Sequence, residues 1–248
     1  MDSKTVSRMM WRRVLCIAAM VVFSGELPAS AATILIDDFI TPQSISVTAS
    51  TPTGSSIVSA PEALGGERDM KLALTSGFTS LTLSSNPFGG ELLVHDSGAT
   101  VKGISSTIWD GPDGSDDVDY DGLGGVDIGT GNNAFLLSGV VADLSGTISL
   151  IVYDASDASG QKWSQADFSL PGTVLAPTEL QIPFTDFNFH GSGGAVDFTN
   201  VGAIELQIEN ITTGSLDVIL HSVSVVPEPS SLWLALTGWG SLLLIKRR

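Results

Sequence analysis

The stretch "AIELQIE" at residues 203–209 decides the fold class. Ile204, Leu206 and Ile208 alternate with Glu205, Gln207 and Glu209. Successive side chains of an extended chain point to opposite faces, so this segment predicts an antiparallel strand with one face in a core and one in water. The pattern recurs in both directions. "KLALTSGFTSLTL" (71–83) reads as two strands around Ser76-Gly77, "TELQIPF" (178–184) and "LDVILHSVSVV" (216–226) as further strands, and "GTISLIVYD" (146–154) as a strand buried on both faces. Turn signals separate them, among them Gly65-Gly66, Asn86-Pro87, Gly89-Gly90, Ser159-Gly160 and Pro171-Gly172. Short strands at near-regular spacing, 27 glycines and no amphipathic helical period predict an all-β domain, a single antiparallel β-sandwich or jelly roll, over residues 32–226.

The two tips differ from this body. Lys4, Arg8, Arg12 and Arg13 precede the apolar run "VLCIAAMVVF" (14–23), followed by Pro28 and the small residues Ala29 and Ala31. A basic segment, a short apolar run and an A-x-A site predict a secretory signal helix over residues 1–31, cleaved after Ala31, with cleavage after Ala32 as the alternative. Its Cys16 is the chain's one cysteine, so the body has neither disulfide nor thiol nucleophile, and its core must hold it together.

The charge is equally uneven. Of the eleven Lys and Arg residues only Arg68, Lys71, Lys102 and Lys162 lie between the tips, whereas all but Asp2 and Glu26 of the 27 acids lie at Asp37 or beyond. Such a body repels phosphate backbones, which excludes nucleic acid as a partner.

The acids are densest in "DGPDGSDDVDYDGLGGVDIGTGN" (110–132). Asp117-x-Asp119-x-Asp121-Gly122 matches the first half of a calcium loop, where alternate carboxylates converge on an ion and glycine permits the turn. Position 12 of that loop is Ile128 and no helices flank it, so this is not an EF-hand. Two readings stand: a structural Ca2+ site formed by Asp117, Asp119, Asp121 and Asp127, or a solvated acidic loop.

Catalytic signatures are sparse. The chain has three histidines, His95, His190 and His221, and His221 falls within a strand pattern. Neither H-E-x-x-H nor G-x-S-x-G occurs, and no carboxylate pair stands out, so the body is expected to be non-catalytic. For glycan binding it offers Trp109, Trp163, Tyr120 and Tyr153. Trp109, beside the acidic loop, is the candidate glycan-binding residue, against the alternative of an indole packed at the sandwich edge. Phe184, Phe187 and Phe189 are expected in the core.

Residues 227–248 read "PEPSSLWLALTGWGSLLLIKRR". The uncharged stretch 230–245 predicts a short transmembrane helix spanning about 24 Å, with Lys246, Arg247 and Arg248 as a basic stop on the cytoplasmic side. The prolines hold Pro227-Glu228-Pro229 extended, open to a protease.

This order of parts resembles the PEP-CTERM sorting domain. The resemblance implies an exported, transiently membrane-anchored protein of a Gram-negative bacterium. It further implies a membrane exosortase-type processing enzyme as partner and a destination at the cell surface or in an extracellular polysaccharide matrix. A plain C-terminal membrane anchor is the rival reading. The body segments "IDDF" (36–39), "GGERDM" (65–70), "WDG" (109–111), "GLGGVDI" (122–128), "VYDA" (152–155) and "DFTNVGAIELQI" (197–208) resemble a galactose-binding-like jelly-roll module of the carbohydrate-binding type. That likeness implies a fold, a possible polysaccharide ligand and, in such modules, structural calcium.

Overall fold

The computed structural model describes residues 32–212 and 214–227. The signal segment with Ala29 and Ala31, the predicted transmembrane helix, Glu228 and Pro229 of the sorting motif and Lys246, Arg247 and Arg248 lie outside the described residues. Among the described residues no helix is long and apolar enough to cross a membrane.

The strands in chain order are β1 (Ile34–Asp37), β2 (Gln43–Val47), β3 (Thr53–Ser59), β4 (Glu67–Ser76), β5 (Leu81–Ser85), β6 (Leu93–Ser97), β7 (Lys102–Trp109) and β8 (Ala134–Ala142). Then follow β9 (Gly146–Asp154), β10 (Trp163–Leu170), β11 (Val174–Pro183), β12 (Asn188–Phe189), β13 (Val201–Glu209), β14 (Val218–Leu220) and β15 (Ser222–Val226). They form two antiparallel sheets. The first runs β1-β15-β8-β14-β6-β5-β2 with β11 also on β8; the second runs β12-β10-β9-β13-β7-β4-β3. The chain passes repeatedly from one sheet to the other, as in a jelly roll, and one continuous apolar core lies between them.

The alternation in 203–209 explains its place. Ile204, Leu206 and Ile208 on β13 are buried in that core, where Ile204 and Leu206 stand opposite Val152 and Leu150 of β9 and Leu72 of β4 belongs to the same cluster. Glu205, Gln207 and Glu209 point to the opposite face of the second sheet. Glu205 is only 7% exposed, so this face is not simply a wet one.

The segment 216–226 departs from the single strand predicted for it. It breaks at His221 into β14 and β15, and His221 is exposed rather than held within a strand. The break matches an irregularity in β8, where Gly139 has a φ of 65° and a Cβ would lie 2.4 Å from the His221 ring. Only glycine tolerates both the backbone angle and the ring.

One polar cluster sits inside the sandwich. Arg68 is fully buried between the sheets; its Nη1 donates to both carboxylate oxygens of Asp37 at 3.1 and 2.9 Å, and its Nε donates to Gln43 Oε1 at 3.0 Å. Its Nη2 donates to Thr41 O and to Ser85 Oγ. Asp37 also accepts from Trp109 Nε1 at 2.8 Å and from the Phe39 N–H at 2.7 Å. Burial pushes the Asp37 carboxyl up, against the pull of Arg68, Trp109 and Phe39.

Candidate functional site on the second sheet

Trp109, the glycan-binding candidate from sequence, is excluded from the surface. Its side chain is fully buried, and its indole N–H is committed to Asp37. It ends β7 with its ring turned inward, since strand alternation places it with Thr107 and Ser105 on the core side.

The outward face of the second sheet holds what the sequence pointed to only in fragments. Register fixes which side chains share it. Asp167 of β10 stands opposite Ser149 of β9, Ser149 opposite Gln207 of β13, Gln207 opposite Ser106 of β7, and Ser106 opposite Lys71 of β4. This is an unbroken polar row across five strands: carboxylate, hydroxyl, amide, hydroxyl, ammonium. Four strand spacings make it about 19 Å long. Ser149 Oγ donates to Asp167 Oδ1 at 2.7 Å, Gln165 Nε2 donates to the same oxygen, and Gln207 Nε2 donates to Glu205 Oε1 at 2.8 Å. A cavity of about 400 Å³ opens at the Lys71 end, lined in part by Ser55, Lys71, Ile104, Ser106 and Asp116.

Aromatic side chains flank the row at one end of the sheet. Tyr153 stands opposite Trp163 across β9 and β10 with ring centroids 6.2 Å apart. Tyr120, from the acidic loop, packs on Tyr153 at 4.9 Å, and the exposed His190 stacks on Trp163 at 4.9 Å and 16°. All three of Tyr120, Tyr153 and Trp163 are half-buried. Gly160 makes room for Tyr120: its φ is 68°, and a Cβ there would lie 2.6 Å from the ring. The Tyr153 hydroxyl reaches Glu205 at 3.5 Å, and burial pushes that phenol up.

The loops carrying this end are tied down by Asp154, which is buried. It accepts from Lys162 Nζ at 2.7 Å, from the Ser156 and Asp197 N–H groups and from Asn200 Nδ2. Although burial alone would raise it, Lys162 and the Ser156 and Asp197 donors hold its carboxyl well below the usual range.

The four predicted calcium ligands are not brought together. Asp117 is 98% exposed and faces Lys71 at 3.9 Å. Asp119 Oδ1 accepts from the Asp121 N–H, and Asp127 Oδ1 accepts from the Gly129 and Thr130 N–H groups at 3.0 and 2.8 Å. Asp119 and Asp127 thus serve their own turns, and Ile128, at the failed twelfth position, is buried in the core. The carboxylates that do converge among the described residues are Asp37, Asp38 and Glu62, and separately Glu67, Asp69 and Asp113. The phenylalanines divide: Phe184 and Phe187 pack around Phe135 and Phe198, whereas Phe189 is 65% exposed. A second cavity, about 660 Å³, lies on the outer face of the first sheet beside the fully exposed Phe88.

Neither a protein-family model nor a curated protein sequence matches the chain. Among solved structures, the chain is similar to the family 11 carbohydrate-binding module from Clostridium thermocellum in complex with a β-1,3-1,4-mixed-linked tetrasaccharide. The identity is 12%, the match covers 80% of this chain and 98% of that one, and the TM-score is 0.38. It is similar to the family 30 carbohydrate-binding module of a Clostridium thermocellum cellulosomal cellulase at 13% identity, covering 80% and 99%, with a TM-score of 0.40. An exo-β-agarase matches at 11% identity, covering 79% of this chain and 25% of that one, with a TM-score of 0.39.

Proposed function

We propose that this chain is an exported, non-catalytic glycan-binding protein that holds a neutral polysaccharide on the outward face of its second sheet. The observation that carries this reading is the polar row Asp167–Ser149–Gln207–Ser106–Lys71 beside the rings of Tyr153 and Trp163. Sugar rings offer hydroxyls, which both donate and accept, and apolar C–H faces, which lie on aromatic rings. The row supplies donors and acceptors on rigid strands, and the rings supply the apolar platform. Carboxylates outnumber ammonium groups on the face, with Asp69, Asp167, Glu205 and Glu209 against Lys71. That balance disfavours sulfated or uronic polymers and leaves neutral or amino sugars.

A binding role also suits the carboxylates there. Asp167 and Glu205 are each engaged by neighbouring amides or hydroxyls and stand on rigid strands. Delivery rests on the sequence tips. The signal-like start and the Pro227-Glu228-Pro229 tail support export through the inner membrane, processing by an exosortase-type enzyme and sorting to the surface or matrix of a Gram-negative cell. Screening the full chain on an array of neutral, amino and acidic glycans tests the binding role. Retention on neutral or amino polymers is expected. Silence across the array, or binding confined to acidic glycans, refutes it.

A further inference from the structure

Two acidic clusters converge among the described residues, and they differ in their relation to a protein cation. In the cluster of Asp37, Asp38 and Glu62 two members pair with a protein cation: Arg68 Nη1 lies 2.9 Å from Asp37 and 3.8 Å from Glu62. Glu67, Asp69 and Asp113 have no ion pair with a cationic side chain among the described residues. Each offers one carboxylate oxygen, and these oxygens lie within 4.8 Å of one another. The nearest ammonium acting on Asp69 is that of Lys71, which faces Asp117 at 3.9 Å instead.

Asp69 sets this cluster apart. It is fully buried, yet neither of its carboxylate oxygens has a hydrogen-bond partner among the described residues. A buried carboxylate without donor or cation is strongly disfavoured in folded proteins. Burial disfavours its charge first, and the neighbouring carboxylates Asp110, Glu67 and Asp113 disfavour it further. Asp110 is itself 1% exposed. The acidic loop is nevertheless held here, because the Asp113 and Gly114 N–H groups donate to Glu67 Oε1 at 3.1 and 3.0 Å. The loop backbone thus keeps the Asp113 carboxylate within 4.8 Å of those of Glu67 and Asp69 although charge opposes it.

We propose that Glu67, Asp69 and Asp113 form a site for a hard divalent cation of the calcium class, which fastens the acidic loop to β4. All three ligands are oxygens, as calcium requires, and their spread fits the ~5 Å that two oxygens span across one calcium ion at 2.3–2.6 Å. Water and nearby backbone carbonyls complete such a shell. The site uses none of the polar row's side chains, although Asp69 lies next to Lys71 on the same face of β4, and it does not depend on glycan binding.

The test is thermal unfolding of the full chain in millimolar calcium, in millimolar magnesium and in chelator, together with calcium titration calorimetry. The expected result is one calcium ion per chain and a calcium-specific rise in Tm of about 5 °C. Asp69→Asn abolishes both, and raises Tm in chelator because it removes the buried like charge. Asp117→Asn retains both. The proposal is overturned by an unchanged wild-type Tm, by an equal rise with magnesium, or by a calcium response that survives Asp69→Asn but is lost in Asp117→Asn.

Discussion

Replacing Arg68 by Met is the sharpest probe of how the sandwich is held together. Met keeps most of the buried aliphatic length and removes the charge and every donor. The guanidinium makes five hydrogen bonds: two to Asp37 and one each to Thr41 O, Gln43 Oε1 and Ser85 Oγ. Asp37 keeps only Trp109 Nε1 and the Phe39 N–H. Breaking a fully buried ion pair by removing one partner costs about 3–5 kcal/mol, because the remaining charge stays desolvated. For a domain of this size, about 4 kcal/mol lowers Tm by about 8–16 °C. The loss has a pH signature. Asp37 without Arg68 escapes its penalty by taking a proton, so the deficit of Arg68→Met narrows as pH falls. The double change Asp37→Asn with Arg68→Met removes the stranded charge and recovers part of the loss. Chemical denaturation of the four proteins at two pH values measures all of this. A cost below about 1 kcal/mol for Arg68→Met, or strict additivity in the cycle, refutes the assignment of Arg68 and Asp37 as a coupled pair.

Other expectations follow from named groups. His95 is fully buried on β6 with Nδ1 against Ser105 Oγ at 2.8 Å, and burial pushes it down to about 4. Its folded value lies below its unfolded 6.5, so its contribution is intact above pH 6.5 and is lost as pH falls through about 4. The loss is about 3 kcal/mol, and His95→Gln flattens this arm of the stability curve; an unchanged acid arm contradicts it. Mass spectrometry of protein from its native host is expected to show a chain starting near Ala32 and lacking "SLLLIKRR" at its end. An intact tail rules out processing and leaves a plain anchor.

How much of this was legible in the sequence depended on which forces acted locally. The strand at 203–209 declared itself because burial of one face imposes a period of two, and the one at 146–154 because burial of both faces leaves a short apolar run. The same period, carried across strands, assembles the polar row, but only once register is known. Nothing near Asp167 in the chain announces that Lys71 lies in line with it four strands away. Tyr153 and Trp163 were visible as aromatics, and Tyr153 shares parity with Ser149, which hinted at the outward face. Trp109 misled because proximity to an acidic loop in sequence says nothing of side-chain direction; alternation turns it inward to Asp37. The Asp117–Asp127 spacing misled for a related reason. Short loops spend aspartates on their own N–H groups, as Asp119 and Asp127 do, whereas convergence came from β4, far away in sequence. Glu67 and Asp69 carried a faint signal, being charges two apart on a strand otherwise rich in apolar residues.

The central claim, a glycan held on the outward face of the second sheet, has one most direct measurement. It is the affinity of the full chain for its best array ligand, compared between Trp163→Ala and Phe88→Ala. Trp163 belongs to the aromatic platform, and Phe88 lies beside the larger cavity on the opposite sheet. The account predicts a loss of about 2 kcal/mol, roughly 30-fold, for Trp163→Ala and no change for Phe88→Ala. Full affinity in Trp163→Ala with binding lost in Phe88→Ala contradicts it.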